Sequence, residues 1–223
     1  MTVGCKGDRP FRLKSYSVER LKKTVENNLD CLLKVLKFNR EHKILFFRIT
    51  SDLVPFASHL VNTFNWQNYF RSEFEEIGEF IRRNGIRISM HPDQFTLINS
   101  VDNDIFRRSC KELAYNAQIL DLMRLDSSAK IQVHVGGVYG DKKKSMERFV
   151  RRFFELEDWI RRRIVARAVS KGAEAYSHQS RILKSLAYGF ACARCVWDIS
   201  CGSVLHADRI VRVLSRMCLS NRS

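Results

Sequence analysis

The sequence predicts an α/β protein built on a parallel sheet. Short apolar runs of strand length alternate with longer stretches that keep one apolar face at helical spacing. The runs recur at Ile44, Ile86 and Ile131, a period of about 43 residues. Strands alternating with amphipathic helices bury a sheet between helices, which requires parallel strands joined by helical crossovers. Doubly wound sheets and closed barrels both fit this period. At 223 residues the chain matches one domain or most of a larger one.

Residues 17–40 predict the first helix. Ser17 is placed to cap it, and Leu21, Val25, Leu29, Leu32 and Leu36 form one face. "KILFFRIT" (43–50) follows as a strand. Residues 65–83 predict a second helix with Phe70, Phe74, Ile77 and Phe80 inward, and "GIRISMH" (85–91) a second strand. A helix over 102–123 carries Phe106, Cys110, Leu113, Ala117 and Leu120, and "AKIQVHVGG" (129–137) is the third strand. Met146, Phe149, Phe153 and Leu156 mark a helix over 143–160, and "RRIV" (162–165) opens a fourth strand. The pattern then stops. Residues 1–165 hold 21 acidic side chains, whereas residues 166–223 hold three, with nine basic residues and four of the seven cysteines. The boundary divides the chain into an α/β part, 1–165, and a divergent tail, 166–223.

Thirty-nine Lys and Arg against 24 Asp and Glu give a net charge of +15. A field of that sign attracts polyanions, of which nucleic acid is the commonest. No run reaches the roughly 18–20 apolar residues of a membrane helix, and the N-terminus has no apolar core of signal-peptide length, so the expectation is a soluble intracellular, cytoplasmic protein. The cysteines form no regular framework. Cys31 and Cys110 fall within helical apolar patterns, and reduced thiols are expected.

Three of the six histidines share a topological position. His91 ends one strand, His134 lies near the end of the next, and His59 lies in the loop after the strand before them. Ligands of parallel α/β folds bind at the carboxyl ends of strands, and neutral imidazole is a common ligand of Zn, Mn and Fe. A satisfied structural histidine is the competing reading for each one. "HVGGVYGDK" lacks the spacing of a nucleotide-binding glycine loop; Gly136 and Gly137 let the chain turn out of the strand, and Asp141 can cap the next helix. In "HPDQF", Gln94 and Phe95 place an amide beside a ring on a loop. That pair suits stacking on or wedging between bases, or else Phe95 is local core. Lys142, Lys143 and Lys144 open a basic helix with a solvated face and are candidates for phosphate contacts.

"FRLKSYSVERLKKTVENNLDCLLKVLKFN", "ILFFRITSDLVPFASH", "IRISMHPDQFTLINS", "LDLMRLDSSAKIQVHVGGVYGDK" and "ERFVRRF" closely resemble the UV-damage endonuclease family, over residues 11–165. The resemblance implies a TIM barrel, related in design to the apurinic endonucleases, here incomplete. It implies a multinuclear, manganese-type metal site and incision of double-stranded DNA 5′ to a damaged nucleotide in excision repair. His59, His91 and His134 match family metal ligands, and Gln94 and Phe95 match the pair the family places in the lesion. A monomer is expected.

The departures from the family are local. Its first strand is not visible before "FRLKS". Asn116 stands where the family often has histidine, and Ala166 where a glutamate belongs. Asp198 falls in a possible counterpart of a later Asp-x-x-His-His motif, but Cys201 and Gly202 occupy the histidine places. The abrupt loss at one residue points to a reading-frame shift or to divergence. Poor incision by an inactive or truncated homologue with residual DNA binding is the alternative to an active endonuclease.

Overall fold

The computed structural model describes residues 4–8, 10–167 and 205–206 of the chain. Four parallel strands lie side by side in chain order: β1 (Phe46–Ile49), β2 (Arg87–Met90), β3 (Lys130–His134) and β4 (Ile164–Arg167). β5 (Leu205–His206) adds antiparallel to β4, with Val165 opposite His206 and Ala166 opposite Leu205. Sequential, parallel β/α units with no strand-order reversal are the arrangement of a barrel rather than of a doubly wound sheet. The fold is therefore α/β and of TIM-barrel type, with four of its parallel strands among the described residues.

Each helix forms where apolar spacing and a cap coincide. In α1 (Val18–Glu41), Ser17 Oγ accepts from the Arg20 amide at 3.1 Å, and Leu21, Val25, Leu29, Leu32 and Leu36 are all buried. Each such side chain contributes roughly 1.5–3 kcal/mol by leaving water. In α4 (Asn103–Leu122), Asp102 caps the amides of Asp104 and Ile105. In α5 (Lys142–Glu155), Asp141 caps Lys144 as expected.

Two expected helices are broken. Residues 65–83 form α2 (Trp66–Tyr69) and α3 (Arg71–Arg83), because Phe70 leaves helical geometry at φ −101°, ψ 16° while its ring stays fully buried. The expected helix over 143–160 stops at Leu156, which is extended, and a short α6 (Asp158–Arg161) follows. The cysteines also differ from expectation. Cys5 and Cys31 form a disulfide with Cα atoms 5.6 Å apart, within bonding range. The N-terminal segment lies along α1, where the Asp8 amide donates to Asn28 Oδ1 at 2.7 Å and Asn27 Nδ2 to the Lys6 carbonyl at 3.1 Å. Cys110 is a free thiol whose pKa burial pushes up to about 11.

No described helix is long and apolar enough to cross a membrane. Asp198, Cys201 and Gly202 lie outside the described residues, as does most of the expected tail domain.

Helix α3 packs closely on the residue that follows α4. A Cβ added at Gly78 would stand 1.8 Å from the Met123 carbonyl oxygen. Gly78→Ala is expected to cost roughly 1–3 kcal/mol as the helices are forced apart. Urea unfolding followed by circular dichroism measures it, and an unchanged midpoint would show that the helices do not meet at this distance.

Candidate metal centre and lesion-probing loop

The carboxyl ends of β2 and β3 bring two imidazoles together. His91 directly follows β2 and His134 ends β3; their Nε2 atoms are 2.9 Å apart. The His91 ring is held from its other side, with Nδ1 2.7 Å from the Pro92 carbonyl oxygen. A carbonyl only accepts, so the network assigns the Nδ1 proton and leaves the Nε2 lone pair facing His134. A carbonyl fixing the tautomer from behind is the usual support of a metal-ligating histidine. At 2.9 Å the two nitrogens form one N–H···N hydrogen bond, and two imidazoles about 2.0–2.1 Å from a tetrahedral ion would stand about 3.3 Å apart, so the pair would open by a few tenths of an ångström to share one.

His59 is not brought into the pair. It lies in the loop after β1, exposed, with Nδ1 accepting from the Val61 amide at 3.0 Å and its ring edge-on to Phe56. Among the described residues no group of three or more His, Cys, Asp or Glu is arranged to hold a metal ion. The expected trio therefore appears as a close pair plus one histidine beyond the end of the neighbouring strand.

Gln94 and Phe95 sit on the loop directly beyond His91. Both are exposed, and Phe95 is 71% accessible, so it is not local core. The turn is closed by the Thr96 amide on the Asp93 carbonyl at 2.9 Å. Lys142, Lys143 and Lys144 occupy the first turn of α5, all exposed, with Lys144 Nζ 3.6 Å from Asp141. Three cations at the positive end of a helix dipole oppose it, a cost that a bound anion would remove.

Comparison with known proteins decides the kinship. A family model described as UV-endonuclease UvdE matches residues 11–180. The chain belongs to the UvdE family. The match reaches further into the tail than the resemblance legible in the sequence, which stops at Val165. A UV DNA damage endonuclease of Clostridium perfringens is 40% identical over 165 residues, covering 74% of this chain and 40% of that protein. One from Bacillus pumilus is 35% identical, covering 68% of this chain and 47% of that protein. The crystal structure of SacUVDE superposes with a TM-score of 0.71 at 43% identity, covering 74% of this chain and 56% of that one. The chain thus matches less than half the length of these two curated UvdE relatives.

Support for the UvdE-type loops comes from residues that pattern reading passed over. Glu112 on α4 accepts from Ser58 Oγ at 2.8 Å, from Asn116 Nδ2 at 3.2 Å and from the Asp93 amide. It thereby ties the residue before His59 to the residue before Gln94. Asn116, where the resemblance led to histidine, is fully buried beneath this carboxylate and also donates to the Glu112 carbonyl at 2.8 Å. Tyr115 is buried beside it. Its hydroxyl donates to the Ser51 carbonyl at 2.9 Å and accepts from the Val54 amide at 3.0 Å, pinning the loop after β1. The available signal was position: Glu112 is a charged residue one step from the buried Leu113 on an otherwise apolar-faced helix.

Burial raises the Glu112 pKa above its ordinary 4.5; the hydrogen bonds from Ser58 and Asn116 oppose that, and the Asp93 charge adds to it. A folded-state pKa above the unfolded one means the folded protein holds more proton in that interval. The stability contribution is then full below the ordinary value and is lost as pH rises through the folded value. Wild-type Tm minus Glu112→Gln Tm is therefore expected to grow as pH falls from neutral towards 4.5. Thermal scans at stepped pH check it; a difference constant with pH would remove Glu112 as the cause.

Proposed function

We propose that this protein is a metal-dependent endonuclease of UV-damaged double-stranded DNA, incising 5′ to the lesion. The observation that carries the reading is the His91–His134 pair with the exposed Gln94–Phe95 tip on the loop that leaves His91, in a chain of the UvdE family. The names of the relatives supply the substrate, UV-damaged DNA.

The chain's own residues divide the work. The basic surface, including Lys142, Lys143 and Lys144, gathers the duplex by its phosphates without reading sequence. Phe95 offers a flat apolar ring and Gln94 an amide, which together can enter a duplex where damage has already weakened stacking. Unstacking costs least at a lesion, so selectivity follows from the substrate's own weakness. His91 and His134 are the residues that would hold a divalent ion, manganese by family resemblance, with His59 a further candidate. Such an ion, when bound, supplies a Lewis acid for a phosphodiester oxygen and lowers the pKa of water. Two imidazoles bring no negative charge, so the carboxylates of a multinuclear site must come from elsewhere.

A second reading, DNA binding without cleavage, is favoured by one residue. Ala166 is buried on β4 where the resemblance places a glutamate. The two readings part in a nicking assay on UV-irradiated supercoiled plasmid with manganese, run beside His91→Ala. Damage-selective nicking abolished by His91→Ala establishes the endonuclease. Damage-selective binding with no nicking above the His91→Ala level establishes the binding protein instead. Equal affinity for damaged and intact DNA would sink both.

Binding itself is expected to fall steeply with salt, each neutralised phosphate contributing a slope of about −0.9 in log K against log salt. Lys143→Ala should reduce that slope by about one unit. Titrations across a salt series check it, and an unchanged slope would take Lys143 out of the interface.

A further inference from the structure

The probing loop is fastened to the loop after β3 by one side chain. Asn99, 1% exposed, closes the probing loop, and its Nδ2 donates to the carbonyls of both Gly136 and Gly137, the latter at 2.9 Å. Those carbonyls lie two and three residues beyond His134. The backbone carbonyl of Asn99 accepts from Arg148 Nε on α5 at 2.7 Å. Arg148 lies over the Tyr139 ring, 5.2 Å from its centre, and donates to Ser145 Oγ at 3.2 Å. Gly137 takes a φ of +66°, the left-handed region in which a side chain is strained. On its other side the probing loop is moored to α4, where the Leu97 amide donates to Ser109 Oγ, and Ser109 in turn to the Ile105 carbonyl, each at 2.8 Å.

One detail marks Asn99 as more than filler. Its Oδ1 is buried with no hydrogen-bond donor in reach. A buried acceptor left unsatisfied is costly, and such exceptions call for an explanation. The side chain accepts that cost for two N–H donors aimed at the His134 loop.

We propose that Asn99 is a positioning residue that makes the lesion-probing loop and the His134 loop one rigid unit. The Gln94–Phe95 tip is then free to meet the duplex, but it cannot move without moving the backbone that follows the metal-holding strand. Lesion engagement and the His91–His134 pair are coupled through the amide of Asn99. This rests on the damaged-DNA reading above and goes beyond it by assigning the coupling to a residue that touches neither DNA nor metal.

The test is binding of the full chain, without added metal, to a short duplex carrying one UV photoproduct and to its undamaged twin. Fluorescence anisotropy gives the ratio of the two affinities for wild type, Phe95→Ala, Asn99→Ala and the double variant. Asn99→Ala is expected to lower the ratio by about tenfold while leaving affinity for the undamaged duplex unchanged. The double variant should be no worse than Phe95→Ala alone, because the latch acts only through the tip. A purely structural role would instead weaken both duplexes together and add to Phe95→Ala; that result overturns the proposal. Arg148→Met removes the tie from α5 to the Asn99 carbonyl, together with the contacts to Tyr139 and Ser145, while keeping the Asn99 side chain, and is run in parallel, so a folding defect in Asn99→Ala does not end the test. It must lower the ratio in the same direction, and an unchanged ratio in a folded Arg148→Met overturns the latch. If Phe95→Ala keeps the full wild-type ratio, the probing role of the tip is wrong and the latch falls with it. If the ratio drops in Phe95→Ala but not in Asn99→Ala, the tip stands and only the latch falls.

Discussion

Because β2 and β3 run parallel, with Ser89 opposite Lys130 and Met90 opposite Ile131, whatever follows each strand leaves the sheet at the same end. Everything proposed for the site depends on that pairing. The strands are held by side chains that have no other role: Met90, Ile131 and Val133 are buried almost completely. In β3 a one-residue slip would exchange the buried positions with the half-buried ones along the whole strand, so the core fixes its register. The histidines inherit their placement from this constraint. Their meeting is a consequence of apolar packing below them, and the carbonyl of Pro92 only trims the orientation of one ring.

Much of this is legible in the amino-acid sequence alone. The period of strands and helices implies the four parallel units, and Ser17 and Asp141 announce helix starts that the structure places within a residue. His91 and His134 are readable because strand ends in a parallel sheet share a direction. His59 is harder, since it sits well beyond its strand and a loop is not bound by sheet register. Periodicity also cannot show that Phe70 breaks a helix while keeping its ring buried, because burial and backbone angle are separate demands on one residue. Glu112 and Asn99 escape for a different reason. Their partners are 54, 37 and 38 residues away in the chain, and hydrogen bonds of that reach leave no local pattern. The Cys5–Cys31 pairing is hidden in the same way, by a separation of 26 residues along the chain.

The supporting bonds share a design. Glu112 and Tyr115, on the same helix, hold the loop after β1, and Glu112 also reaches the loop after β2. Asn99 and Arg148 bind the loop after β2 to the loop after β3 and to α5. Loops at the mouth of a sheet are ordinarily its loosest parts. Here each is cross-braced to its neighbour by a buried or half-buried polar side chain, while the tip at Gln94 and Phe95 stands in solvent. A stiff base with an exposed tip suits a probe that must push against stacked bases, since a compliant one would bend before the duplex did.

The strand order has a bearing on how the chain is made. Each strand pairs with the one just synthesised, β1 with β2, β2 with β3 and β3 with β4, so no contact in the parallel sheet waits for a distant segment. Chains wired in this way can add one β/α unit after another from the N-terminus during translation. Among the described residues β1 has a strand neighbour on one side only, and Ile44, Leu45 and Phe46, at and just before it, are each more than 40% exposed, an apolar edge of the kind that recruits foreign strands.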